Sequence, residues 1–146
     1  MGYLLQVLAV PCALLTASLI HAQDPAPQRT LEWGNISFHC NGADQIVVDH
    51  HDAIGRYRRD VLPLEAIDLS AIGSPNMAGS LELVSHDDCD HCFRQEEFRT
   101  STIRRSGRLI LRPVAEEGST LAGSDAVVSW IARLQEHSLL SETSTR

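Results

Sequence analysis

The sequence predicts an α+β fold: a single small domain with a mainly antiparallel sheet of five or six strands, an early inserted helix and a C-terminal packing helix. Three observations carry that reading. Short runs alternate apolar with polar residues between turn signals such as Asn41-Gly42 and Ser106-Gly107, which is strand periodicity. Two other stretches space their apolar residues as a helix does. A length of 146 residues accommodates one domain.

Residues 1–22 read as a secretory signal peptide. An apolar run from Leu4 to Ile20 leads to the small residue Ala22 at the expected cleavage point, and then to the polar start Gln23-Asp24-Pro25. Pro11 interrupts the run, which is marginal for spanning a bilayer. No Lys or Arg precedes it, which departs from the bacterial pattern and points to a eukaryotic, fungal source. Residues 23–30 form a flexible lead, residues 31–140 the domain and residues 141–146 a frayed tail.

Within the domain, Leu31 to Cys40 reads as a strand with Ile36, Phe38 and Cys40 on one face, and Gln45 to Asp49 as a second. Ile54, Tyr57 and Val61 recur at helical spacing ahead of Pro63, predicting a helix over residues 51–61. From Glu65 the period returns to two, with Ile67, Leu69 and Ala71 on one face of a strand. Gly73-Ser74-Pro75-Asn76 turns the chain. Strands around Leu81 and Leu83, from Phe93 to Thr102 and from Arg108 to Val114 complete the sheet, and Pro113 places the last strand's end at an edge. Ser124 or Asp125 caps a final helix whose stripe is Val127, Trp130, Ile131 and Leu134.

Charge narrows the function. All 12 basic residues are Arg, against 19 acidic residues and a net charge of −7. Capture of nucleic acid by overall charge is therefore not favoured, and with 5% aromatic residues a base-stacking platform is not expected either. The basic residues are nevertheless segregated. Arg99, Arg104, Arg105, Arg108 and Arg112 follow one another with no acid among them, just after a stretch holding Glu82, Asp87, Asp88, Asp90, Glu96 and Glu97. Either the two stretches neutralise each other across strands, or the arginines form a cationic edge that grips a phosphate, an anionic lipid or an acidic partner. These five arginines are the candidate binding residues. The absence of Lys follows from a GC-rich genome, or from a protein that gains lifetime in a host cytosol by offering no side-chain amine for ubiquitin attachment.

Signal cleavage leaves Cys40, Cys89 and Cys92. The expected disulfide joins Cys40 to Cys92, with Cys89 the less favoured partner. It would close a loop of about 50 residues, worth roughly 3–4 kcal/mol on the chain-entropy model. The run His86 to Cys92 has metal-ligand and redox spacing. A second ligand pair is missing and its acidic neighbours raise a thiol pKa, so neither a metal site nor a cofactor is expected. Asp49-His50-His51-Asp52 matches the Asp-His-His signature of manganese-binding phosphoesterases over those residues alone. Lacking that family's earlier aspartates, it reads as a helix start. Asn35-Ile36-Ser37 is a glycosylation sequon on Asn35. No nucleophile elbow or glycine-rich phosphate loop is present, and no residue is assigned a catalytic role.

The signal peptide, single small domain, few cysteines and lack of an enzyme motif resemble the small secreted effectors of plant-associated filamentous fungi. Phe38-His39-Cys40 is similar to the aromatic-x-Cys motif of ribonuclease-like mildew effectors. It lies further from the cleavage site than theirs, and their richness in Lys is absent. The resemblance implies a secreted, virulence-type protein that acts in the apoplast or inside host cells, without stable membrane insertion. It would bind a host protein through the arginine hairpin. The competing expectations are a small secreted hydrolase using His50 or His51 with a carboxylate and an Arg, and a non-catalytic cell-surface module. A cleft holding those groups favours the hydrolase, and a flat arginine-rich edge favours the binder.

Overall fold

The computed structural model describes residues 25–72, 79–87, 89–121 and 123–143. The expected signal peptide and the Gly73–Asn76 turn lie outside the described residues, as do residues 144–146. The domain has a six-stranded antiparallel sheet, a separate strand pair and one C-terminal helix. The strands are β1 (Thr30–Trp33), β2 (Ile36–Cys40), β3 (Gln45–Asp52), β4 (Gly55–Pro63), β5 (Leu81–Val84), β6 (Phe93–Glu97), β7 (Thr102–Ser106) and β8 (Arg108–Leu111), and the helix is α1 (Ser124–Thr143). The large sheet runs β1-β2-β3-β4-β6-β7, while β5 pairs with β8.

Alternation decides which face is dry. Ile36 and Phe38 on β2, Ile46 and Val48 on β3, Leu62 on β4 and Phe93 on β6 are all buried, between neighbours that are more exposed. Leu81, Leu83, Leu109 and Leu111 of the strand pair join the same core. The expected stripe of α1 closes it: Val127, Trp130, Ile131 and Leu134 are buried, and Trp130 meets Phe38 edge to face with ring centroids 5.9 Å apart. Trp130 Nε1 also donates to the Gln28 carbonyl at 2.6 Å, and the Arg29 carbonyl accepts from the Cys40 amide at 2.8 Å. The end of the expected lead is therefore held against the domain. At the other terminus α1 runs to Thr143, so the first three residues of the expected tail are helical.

The helix expected over residues 51–61 is not present. That stretch is the end of β3, a turn, and most of β4. Asp52 Oδ1 accepts from the Ile54 and Gly55 amides, and Gly55 takes φ +133°, which interrupts any helix. Beyond it the true period is two, with Arg58, Asp60 and Leu62 on one face. A charged residue at a core position hid that alternation. The strand expected from Glu65 is also replaced, by two single 3-10 turns at Leu64–Ala66 and Leu69–Ala71, with one isolated bridge from Ile67 to Ser85. The stretch read as one strand from Leu31 to Cys40 is a hairpin around Gly34-Asn35, and the strand read from Phe93 to Thr102 ends at Glu97.

Gly34 leaves no room for a side chain. It sits at φ +58°, and a Cβ built there collides with the Val114 carbonyl oxygen. The next residue clamps the same segment: Asn35 Nδ2 donates to the His51 carbonyl at 2.8 Å, and Asn35 Oδ1 accepts from the Val114 amide at 2.7 Å. Gly34→Ala should therefore cost about 2 kcal/mol or more, combining left-handed strain with the collision. Urea unfolding should show a lower midpoint at an unchanged slope.

Candidate functional site

Two cross-strand ladders organise the inward face of the large sheet. One runs His50, Arg58, Glu97, Thr102; the other runs Val48, Asp60, Gln95, Arg104. The face thus changes from apolar on β2 and β3 to polar on β4, β6 and β7. Asp60 stands at the change, with 0% exposure. A buried carboxylate must be paired, and Asp60 is paired on both oxygens. His50 Nε2 lies 2.7 Å from Oδ2, and Arg58 Nε donates to Oδ1 at 2.9 Å. A register shift between His50 and His51 leaves Tyr57 as the extra residue on β4. Its ring lies 6.0 Å from His50 and carries the Arg99 guanidinium 5.5 Å from its centroid.

The uncovered polar half of this face forms a cleft of about 210 Å³ lined by Arg58, Gln95, Glu97, Thr100, Thr102 and Arg104. Arg58 presents its guanidinium there while Asp60 holds it from behind. His50 itself is 4% exposed and does not line the cleft. His51 points to the opposite face, where its Nε2 lies 3.3 Å from the Ser37 hydroxyl.

On that opposite face Asp49 accepts two bonds from Arg59, at 2.7 and 2.8 Å, and a longer one from Arg56 at 3.4 Å. Arg56 also stacks over the Phe98 ring at 4.8 Å. The four residues Asp49–Asp52 therefore all belong to β3 and start no helix. Asp52 Oδ1 caps the turn, and its Oδ2 pairs with Arg99. Burial pushes the Asp49 carboxyl up, but the hydrogen bonds and charge of Arg59, with Arg56 beside it, outweigh burial and hold it below the usual range.

The five candidate arginines divide into two groups. Arg99 is paired with Asp52, and Arg108 Nη1 donates to Glu82 Oε1 at 3.1 Å. Arg104, Arg105 and Arg112 are exposed and form no ion pair among the described residues. Register explains why neutralisation across strands fails at the centre of the hairpin: β6 and β7 set Arg105 opposite Arg94, Arg104 opposite Gln95 and Ile103 opposite Glu96. Like charges face each other where opposite ones were expected. β7 is also an edge strand of the large sheet, and its Ile103 is 55% exposed.

The expected disulfide is corrected. Cys89 is bonded to Cys92, and Cys40 is a free, buried thiol. Cys40 points into the core from β2, where burial pushes its pKa up, Arg29 opposing and Asp44 adding. The bridge closes only the loop ahead of β6, so no long-range staple joins the sheet to that loop. The described residues hold no group of three or more metal-ligating side chains. The side-chain amide of Asn35, the sequon residue, is partly buried and engaged at both ends in the clamp on β3 and Val114.

No family model, curated protein or solved structure matches the chain. Among the described residues no helix is long and apolar enough to cross a membrane. The residues that sequence reasoning missed are Arg58, Asp60 and Glu97. The signal was there in the alternation Arg58-x-Asp60-x-Leu62, which becomes visible once residues 55–63 are read as a strand.

The Asp49 pair has a pH signature. Because its folded-state pKa is lowered, the pair adds stability above the pH at which an unfolded Asp ionises, about 3.9. That stability is lost as the pH falls through the folded value. With the side chains 19% and 34% exposed, solvent screening limits the contribution. Asp49→Asn should cost roughly 1 kcal/mol at neutral pH and progressively less below about pH 4. Denaturant unfolding of both proteins across that range reads the difference.

Proposed function

We propose that this is a secreted, effector-type protein that acts by binding an acidic partner protein, the target in a host, along the arginine edge formed by β7. The single observation that carries the reading is the pair of arginines on the edge strand β7 that form no ion pair among the described residues, Arg104 and Arg105; opposite Arg105 stands Arg94, itself 3.6 Å from Glu96. A chain of net charge −7 that leaves these cations unpaired keeps them available for an external anion. The unpaired outer edge of β7 offers backbone groups to an extended segment, and Ile103 adds an apolar contact. Secretion rests on the apolar run from Leu4 to Ile20 with Ala22 at the expected cleavage point, and action inside host cells is supported by the lack of any Lys.

A second reading is favoured by one observation. Arg58, Glu97 and Arg104 line one cleft, with His50 and Asp60 behind Arg58. A carboxylate between two guanidiniums is suited to general acid–base work on a phosphodiester, the chemistry of a ribonuclease-like hydrolase. The near-complete burial of His50 and its engagement by Asp60 weigh against it as the proton carrier.

The test is fluorescence anisotropy with a labelled peptide of alternating Glu and Val. The wild type should bind it, more weakly as salt rises. Arg104→Glu with Arg105→Glu should abolish binding while thermal stability stays within about 1 kcal/mol, because exposed charges contribute little and Arg105→Glu puts an acid opposite Arg94. Equal binding by both proteins would contradict the reading. Cleavage of single-stranded RNA that is lost in Glu97→Gln would favour the hydrolase instead.

A further inference from the structure

A second cavity lies away from the arginine edge. A groove of about 770 Å³ runs between the C-terminal half of α1 and the chain from Pro63 to Ser70. Its volume is in the range of formed binding pockets, roughly 300–1,000 Å³. Leu64 and Ile67 behind it are core residues, 2% and 1% exposed; Leu69 is half-buried, and Leu139 on the α1 side is 66% exposed. Leu139, with half-buried Leu69 across from it, gives the groove an apolar surface that no other described residue covers.

The walls are fixed in place. Gln135 Nε2 on α1 donates to the Leu64 carbonyl at 2.8 Å and to the Ile67 carbonyl at 2.9 Å. Ser138 donates to Asp44 Oδ2 at 3.3 Å. The groove therefore exists before anything enters it, which lowers the ordering cost of binding.

Charge selects the occupant. Asp44, Glu65 and Asp68 line the groove, and no Arg does. His86 is the single lining side chain able to carry a positive charge, and its Nδ1 lies 3.8 Å from Asp68. An occupant must bring apolar side chains for the floor and cations for the rim.

We propose that this groove docks a basic amphipathic segment of a partner protein. The segment seats apolar residues against Leu69 and Leu139 and sets Arg or Lys side chains against Asp44, Glu65 and Asp68. The proposal does not rest on the arginine edge. The two surfaces carry opposite charge and would take different partners.

The test uses the mature chain and a labelled amphipathic peptide with Arg on its polar face and Leu on its apolar face. Anisotropy should report saturable binding that weakens with salt. Leu139→Asp and Glu65→Arg, both exposed positions, should fold as the wild type does and bind about tenfold or more weakly. Arg104→Glu with Arg105→Glu should leave this binding intact, which separates it from the edge reading. Equal affinity for a peptide with Glu in place of Arg would overturn the proposal, as would full binding by both groove variants. Concentration-dependent self-association, removed by Leu139→Asp, would overturn it too by making a second copy the occupant.

Discussion

Asp60 is the residue around which the rest of the sheet is arranged. A carboxylate with no solvent contact has to be satisfied within the protein, and the side chains that satisfy it come from two strands, His50 on β3 and Arg58 on β4. Losing both partners would leave a buried charge uncompensated, at a cost of about 3–5 kcal/mol. The pairing holds β3 and β4 in register, and it fixes where the inward face stops being apolar. To one side lie Val48, Phe38 and the core under α1. To the other lie Gln95 and Arg104, across a cleft that neither α1 nor the β5–β8 pair lines.

That division separates the domain's tasks. The half under α1 supplies stability, with Trp130, Phe38 and Phe93 packed among aliphatic residues from both sheets. The polar half adds little hydrophobic burial and holds β6 and β7 as a hairpin whose outer strand is open. The register that follows from Asp60 opposite Gln95 carries across to place Arg105 against Arg94 and Arg104 at the cleft. The concentration of unpaired cations is thus a consequence of strand register more than of sequence order. The acidic groove between α1 and the Pro63–Ser70 segment lies at the open end of the β3–β4 hairpin, where Gln45 and Pro63 line it.

Much of the architecture was legible in the sequence, for identifiable reasons. The strands β2, β3 and β5 and the stripe of α1 all place apolar residues at the period of their element. β4 was not legible, because Asp60 and Arg58 occupy inward positions where a pattern reader looks for apolar side chains, while Ile54, Tyr57 and Val61 imitate a helix. The pairing of the cysteines was not legible either. Spacing alone leaves several bridges open, and the structure leaves Cys40 as a buried thiol in the core on β2 while Cys89 bonds Cys92. The arginine cluster was visible as composition, whereas its division into paired and unpaired members depends on the β6–β7 register and on distant acids such as Asp52 and Glu82.

The central claim is that the Asp60 network holds the polar half of the sheet in register. Native-state hydrogen exchange on Asp60→Asn tests it most directly. The account predicts that amides of β4 and β6, notably Val61 and Gln95, lose protection equivalent to about 3 kcal/mol. The amides of β2, under α1, should lose less. Uniform protection factors unchanged from the wild type would contradict it, because the sheet would then hold its register without the buried carboxylate.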